Sequence, residues 1–274
     1  MRVHVVNVMR PATGSAQQTL DRFSGFSQQV EAKGFTGLWV TDSFGRGRPT
    51  LDPVGLMTII AAVTKKIEIG TCVLQVPVRH PIELAHRLEG LHAITGKRLQ
   101  LGLGSGSTKA DFDLVGIDYE QRFKLLMSSL ELMKQAWRGE PVPGGQLTPW
   151  PGTEGGPDVM LGAWRNKRWI ICSAEQCAGW IASGLYSQPE ELAVGMKIYR
   201  DAGGKRAVLA NVIIDLTGNA ENMPLGGRAT VMLTGGEAAA LDKLRRIRDV
   251  GFDDILCMVN AESLDDLARL RDAL

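Results

Sequence analysis

Eight times along this chain, a short apolar β-branched run is followed by a stretch of helical character, and the order never breaks. The runs cover residues 3–9, 37–42, 67–73, 98–103, 158–162, 179–183, 206–216 and 253–259. Helical patterns follow over 15–33, 52–64, 81–94, 119–138, 166–177, 189–202, 236–250 and 263–274. Strands that are almost continuously apolar suit a parallel sheet covered by helices. Parallel neighbours need a crossover, and a helix is the usual one. Eight such units in 274 residues match the content of a single-domain α/β chain folded as a (β/α)₈ TIM barrel. The competing arrangement is a doubly wound open sheet. It would have fewer strands at this length and a glycine-rich turn after the first. Here the first strand runs into Met9, Arg10 and Pro11. No domain boundary is visible over residues 1–274, and the Pro- and Gly-rich stretch 141–157 reads as an excursion within the barrel.

Local signals mark the ends of the helices. Ser15 stands at an N-cap position and Gly34 just past the first helix. Pro53 occupies a first helical position, where a missing N–H costs nothing. Phe123, Leu126, Met127, Leu130 and Met133 recur at helical spacing.

Apolar residues make up 44% of the chain and charged residues 22%, the balance of a folded soluble protein. With a net charge of +1 there is no basic field to attract nucleic acid or acidic lipid. A charged ligand must be met by a local cluster. The four cysteines, Cys72, Cys172, Cys177 and Cys257, show no CxxC spacing and read as free thiols in a reduced cytoplasmic setting. The first residues lack the apolar block of a signal peptide, and no run is long enough to span a membrane.

In a barrel of this type, chemistry belongs to the loops at the C-terminal strand ends. After the fourth strand come Gly104, Ser105, Gly106, Ser107, Thr108 and Lys109. Successive N–H groups in such a turn form an anion nest, though a tight turn needing positive φ has the same composition. It is not a Walker motif, because GxxxxGK[ST] is absent. After the fifth strand come Trp164, Arg165, Asn166, Lys167 and Arg168. Three cations at a helix start oppose the helix dipole, and a bound anion, a phosphate above all, would relieve that. A solvated first turn is the plainer alternative. Asp42 and Ser43 sit where the second strand meets its loop; Asp42 could accept from a ligand N–H or close an Asx turn. His80 precedes a helix-opening proline and reads as part of that junction, while His4, His86 and His92 read as structural. No Ser-His-Asp set, HExxH, paired carboxylates or metal-ligand cluster appears. A site without a protein nucleophile implies that a cofactor carries the reaction.

The segment EAKGFTGLWVTDSF (31–44), followed by AAVTKKIEIGTCVLQVPVRHPIELAHRLEGLHAITGKRLQLGLGSG (61–106), resembles the bacterial luciferase-like monooxygenases. The order of motifs is similar: a Gly-Phe-x-x-Leu-Trp-Val strand with an acid at its end, a Thr-x-x-Ile-x-Ile-Gly-Thr strand, Arg-His-Pro, a helix, then Leu-Gly-x-Gly. The resemblance runs from about residue 31 to 137 and includes 179–183, roughly half the chain. It implies a barrel that binds reduced FMN, or the 8-hydroxy-5-deazaflavin coenzyme F420, at the C-terminal mouth. It also implies a non-prolyl cis peptide at Cys72–Val73 beside the cofactor ring. Asp42 and Ser43 would face ring or substrate. Gly104, Ser105, Gly106, Ser107, Trp164, Arg165 and Asn166 would hold the phosphate.

The activity implied is oxidation of a small organic substrate with oxygen, using flavin reduced by a separate reductase, in a protein that forms homodimers. Deazaflavin-dependent hydride transfer and a catalytically silent flavin-binding protein are the alternatives. The chain departs from the family pattern at Ser43, where many members carry His, and in a modest segment over 217–236 that implies a reduced substrate lid.

Overall fold

The computed structural model describes residues 1–11, 14–185, 187, 189–217 and 231–274. Most of the segment expected to form a reduced lid, 218–230, lies outside the described residues.

Eight parallel strands close on themselves. β1 (Arg2–Asn7), β2 (Gly37–Val40), β3 (Glu68–Thr71), β5 (Leu99–Gly104), β6 (Val159–Gly162), β7 (Gly179–Ser183), β8 (Ala207–Asp215) and β10 (Asp254–Val259) form the ring. The β10–β1 and β10–β8 pairings shut it. The helices α1 (Ala16–Ala32), α2 (Pro53–Val63), α3 (Pro81–Thr95), α5 (Arg122–Trp137), α6 (Lys167–Gln176), α7 (Pro189–Asp201), α8 (Gly236–Val250) and α9 (Leu264–Asp272) alternate with the strands, as the repeat predicts. Ser15 and Gln18 form a capping box at α1, and Asp52 caps α2 ahead of Pro53. None of the described helices is long and apolar enough to cross a membrane.

Strand alternation sorts the core into two parts. One face of each strand packs under the helices; Leu99, Leu101 and Leu103 of β5 belong to this outer core. The other faces fill the barrel with Val6, Trp39, Cys72, Met160, Ile181, Val208, Ala210 and Leu256. Trp39 takes up the space that a side chain at Gly70 would need: a Cβ there would lie 2.5 Å from its ring.

The N-terminal end of the barrel is plugged by polar groups. Trp39 Nε1 donates to His4 Nδ1 at 3.1 Å, and His4 Nε2 lies 2.9 Å from Asp254 Oδ1. Indole nitrogen can only donate, so His4 carries its proton on Nε2 and gives it to the carboxylate. Arg2 and Arg206 also hold Asp254, and both reach Glu68. Burial works against the charged form of Asp254, but the hydrogen bonds from His4 and Arg2 and the charge of Arg206 outweigh it and hold its carboxyl well below the usual range.

Four features differ from the sequence reading. The third strand is not continuous over 67–73: β3 stops at Thr71 and β4 (Leu74–Gln75) resumes pairing with β5 beyond the Cys72–Val73 bond. A short helix, α4 (Lys109–Val115), stands between β5 and α5. A short strand, β9 (Met232–Thr234), pairs with the far end of β8. β8 itself carries a register shift against β10, with Asn211 at φ 61°, one of the few residue types that tolerate that conformation. The 141–157 excursion is tied down through Glu89 of α3, a buried carboxylate that accepts from Trp150 N–H at 2.9 Å and from the Thr153 hydroxyl at 3.3 Å.

Candidate functional site

The Cys72–Val73 peptide is cis, the geometry the family resemblance implies. The two side chains then part company. Cys72 packs inside the barrel, where burial pushes its thiol up to about 12 and keeps it a neutral packing group. Val73 is half-buried and leans over the strand ends beside it. A Cβ on Gly104 would sit 2.4 Å from Val73 Cγ2, and one on Gly162 would sit 2.9 Å from Val73 Cγ1. These glycines are therefore what lets the bulge lie across the barrel. Sequence reasoning gave Gly104 the task of letting backbone approach a ligand; the structure gives that space to Val73.

The loops after β2, β4 and β5 form one braced unit. Asp42 is 2% exposed in its side chain and holds Arg79 by two hydrogen bonds, at 2.6 and 3.0 Å. It also accepts from Gln75 N–H at 2.8 Å. Its carboxylate is thus held by a cross-strand ion pair, which neither the Asx-turn nor the ligand reading contained. Arg79, which the sequence placed only at a helix start, is the partner. Asp111 of α4, fully buried, accepts from Phe44 N–H at 3.0 Å, from Gly45 N–H, and from Gln75 Nε2 at 2.7 Å. Ser43 Oγ lies 3.5 Å from the same carboxylate, at the limit of a hydrogen bond. Asp111 has no local sequence signature, because its partners stand 36 to 68 residues away.

The glycine–serine turn lies on this unit. Gly106 has φ 80°, and a Cβ there would meet Gln75 Oε1 at 2.5 Å, so the position demands glycine. The N–H groups of Gly106, Ser107 and Thr108 donate to no backbone or side-chain acceptor among the described residues. Ser105 is half-buried beside them. Gln75 Oε1 is buried without a donor, so this wall of the turn also has an open acceptor.

A cation that the sequence did not suggest stands at this turn. Arg46, from the loop after β2, places Nε and Nη2 at 3.0 and 2.8 Å from Thr108 Oγ1. Arg165 instead pairs with Glu191 at 2.9 Å and lies over the Trp164 ring. Asn166 caps α6, its side chain accepting from Arg168 N–H at 3.0 Å. One donor of the first turn, the Arg168 N–H, is thus used within α6. Trp164, 47% exposed, donates from Nε1 to Ser187 Oγ at 3.0 Å. His80 is exposed at the start of α3, as expected of a helix junction.

A hollow of about 320 Å³ lined by Met9, Phe26 and Asn260 opens on the α1 side. It lies between α1 and the loops after β1 and β10, and contains none of the residues above.

A sequence model of the family described as luciferase-like monooxygenase matches residues 1–272. Over 126 residues the chain is 32% identical to a 4-hydroxyprotoasukamycin monooxygenase of Streptomyces nodosus subsp. asukaensis, covering 45% of this chain and 33% of that one. Among solved structures, it resembles the oxygenating constituent of 3,6-diketocamphane monooxygenase of Pseudomonas putida in complex with FMN. The TM-score is 0.75 at 17% identity, covering 99% and 95% of the two chains. It equally resembles an F420-dependent secondary alcohol dehydrogenase in complex with an F420–acetone adduct, with a TM-score of 0.76 at 11% identity over 100% and 98%.

Proposed function

Because the chain belongs to the luciferase-like monooxygenase family, we propose that it is an oxidoreductase that takes reduced FMN at the C-terminal mouth of its barrel and oxygenates a small organic substrate. One observation carries the cofactor assignment: the turn after β5 presents three consecutive backbone N–H groups, at Gly106, Ser107 and Thr108, without protein acceptors, beside the Ser105 hydroxyl and the Arg46 guanidinium. That donor set fits a phosphate monoester.

When bound, a reduced flavin supplies the electron pair with which oxygen is activated. The chain's own residues position and shelter. The 105–108 turn holds the phosphate, and Trp164 stands on the loop after β6, the strand beside β5. Val73 supplies an apolar surface for a planar ring at the bulge. Phe44 and Trp164, both partly exposed, add aromatic faces that exclude water. The Asp42–Arg79 pair holds the loop that carries Ser43, whose hydroxyl orients the substrate. Flavin reduction falls to a separate reductase, and the working form is a homodimer in the cytoplasm.

The structural likeness to the F420-dependent dehydrogenase is of the same size as that to the FMN enzyme. The two readings separate on oxygen. With a flavin reductase, FMN and a panel of aldehydes and ketones, we expect substrate-dependent oxygen uptake and a product heavier by one oxygen atom. Turnover of the same panel with F420 under anaerobic conditions, and none with FMN, would replace the first reading by hydride transfer. FMN binding without turnover of any panel member would leave a flavin carrier.

A further inference from the structure

Three arginines stand together at one edge of the mouth. Arg10 follows β1, and Arg46 and Arg48 follow β2. The two strands pair in parallel with Asn7 opposite Val40, so their loops rise side by side. Arg46 is anchored through Thr108. Arg48 is half-buried, yet among the described residues neither it nor Arg10 has a carboxylate or a hydrogen-bond acceptor. Other sheltered arginines of this protein behave differently: Arg79 holds Asp42, and Arg206 holds Glu68 and Asp254. Burial, and then repulsion from Arg10 and Arg46, lower the pKa of the Arg48 guanidinium, so the three charges feel one another. Like charges gathered without counter-charge oppose folding, and an anion placed among them removes that cost.

The turn assigned to the flavin phosphate is a neighbouring surface. It follows β5, and the ring order β1-β2-β3-β5 puts it three strands from Arg10. Arg46 reaches that turn at Thr108, while among the described residues no hydrogen bond joins Arg10 or Arg48 to it.

We propose that Arg10 and Arg48, with Arg46 at their edge, bind an anionic group of the substrate, a carboxylate or a phosphate, at the β1–β2 side of the mouth. The substrate class is therefore an organic acid or phosphate ester whose charged end sits on the arginines and whose reactive end reaches the bulge at Val73. Calling the ligand a substrate rests on the flavin reading above; the binding of an anion here does not.

The test titrates the full-length protein at low ionic strength with benzoate, phenyl phosphate and neutral benzyl alcohol, and separately with FMN. The variants are Arg10→Gln/Arg48→Gln and Arg48→Lys. Wild type is expected to bind one of the two anions at least tenfold more tightly than benzyl alcohol, with affinity falling as salt is added. Which anion binds better separates carboxylate from phosphate. The double variant loses at least tenfold in anion affinity, keeps FMN affinity within twofold, and melts no lower than wild type because no bonded partner is lost. Arg48→Lys retains part of the binding. Anion affinity unchanged in the double variant, or absent in wild type, overturns the proposal. So does a parallel fall in FMN affinity, which would assign the arginines to the cofactor. If neither protein binds FMN but the anion difference persists, the anion site stands and the flavin reading alone fails.

Discussion

Asp42, an acid at a strand end, holds structure across two loops. Its carboxylate is almost wholly buried, with Arg79 on both oxygens. Removing one partner of a buried pair leaves the other charge unpaired, at a cost of about 3–5 kcal/mol. Arg79→Met is therefore expected to lower the urea midpoint by that much stability. If Asp42 instead acted on substrate, Asp42→Asn would abolish turnover while leaving the urea midpoint of wild type, and that outcome would restore it to the reaction. The pair was invisible in the sequence, because Asp42 and Arg79 are 37 positions apart and neither has a local signature. Gly104 carries a second residue-scale prediction. A methyl there meets Val73, and forced overpacking costs roughly 1–3 kcal/mol. Gly104→Ala should destabilise by that amount in chemical denaturation and weaken FMN binding, whereas Gly90→Ala, inside α3 with nothing for its Cβ to meet, should leave FMN affinity unchanged.

Elements explain which parts of the site could be read in advance. The run over 67–73 has one continuous β-branched signature, and hydrophobic pattern does not register a change in a single peptide bond. Only the family resemblance pointed to Cys72–Val73. The seven residues of α4 are too few to show a helical period, so α4 and Asp111 went unseen. By contrast Ser15, Pro53 and Gly34 work through their immediate neighbours, and those helix ends were legible. The turn over Gly104, Ser105, Gly106 and Ser107 was legible as a candidate anion nest, but the guanidinium beside it was not, since Arg46 reaches Thr108 across 62 positions. Asp111 ties the loops after β2, β4 and β5 together, so its loss acts on all three. Asp111→Ala orphans two backbone N–H groups and one N–H of the Gln75 amide, whose other N–H keeps the Asp42 carbonyl, and at about 1 kcal/mol each should cost roughly 3 kcal/mol in urea unfolding. Asp111→Asn keeps an acceptor oxygen for the two backbone groups and should recover most of that loss, which a helix-propensity effect alone would not give.

For the whole molecule, the eightfold alternation of strand and helix was the strongest signal, and the barrel follows from it. Closure at the N-terminal end rests on something the alternation does not contain: Asp254 with His4, Arg2 and Arg206. The folded-state carboxyl is depressed relative to the unfolded chain. Its contribution is therefore fully present above the unfolded value, about pH 4, and is lost as pH falls from there. Thermal melts are expected to drop steeply below about pH 4 for the wild type. An Asp254→Asn variant, already destabilised, should drop less over the same interval.

The central claim is that the C-terminal mouth holds a flavin by its phosphate. Titration of the purified protein with FMN, riboflavin and F420 tests it most directly. Saturable FMN binding at least tenfold tighter than riboflavin is expected, since the phosphate meets the turn at Ser105 to Thr108, with no comparable binding of F420. Equal affinity for FMN and riboflavin, or binding of F420 alone, would contradict it.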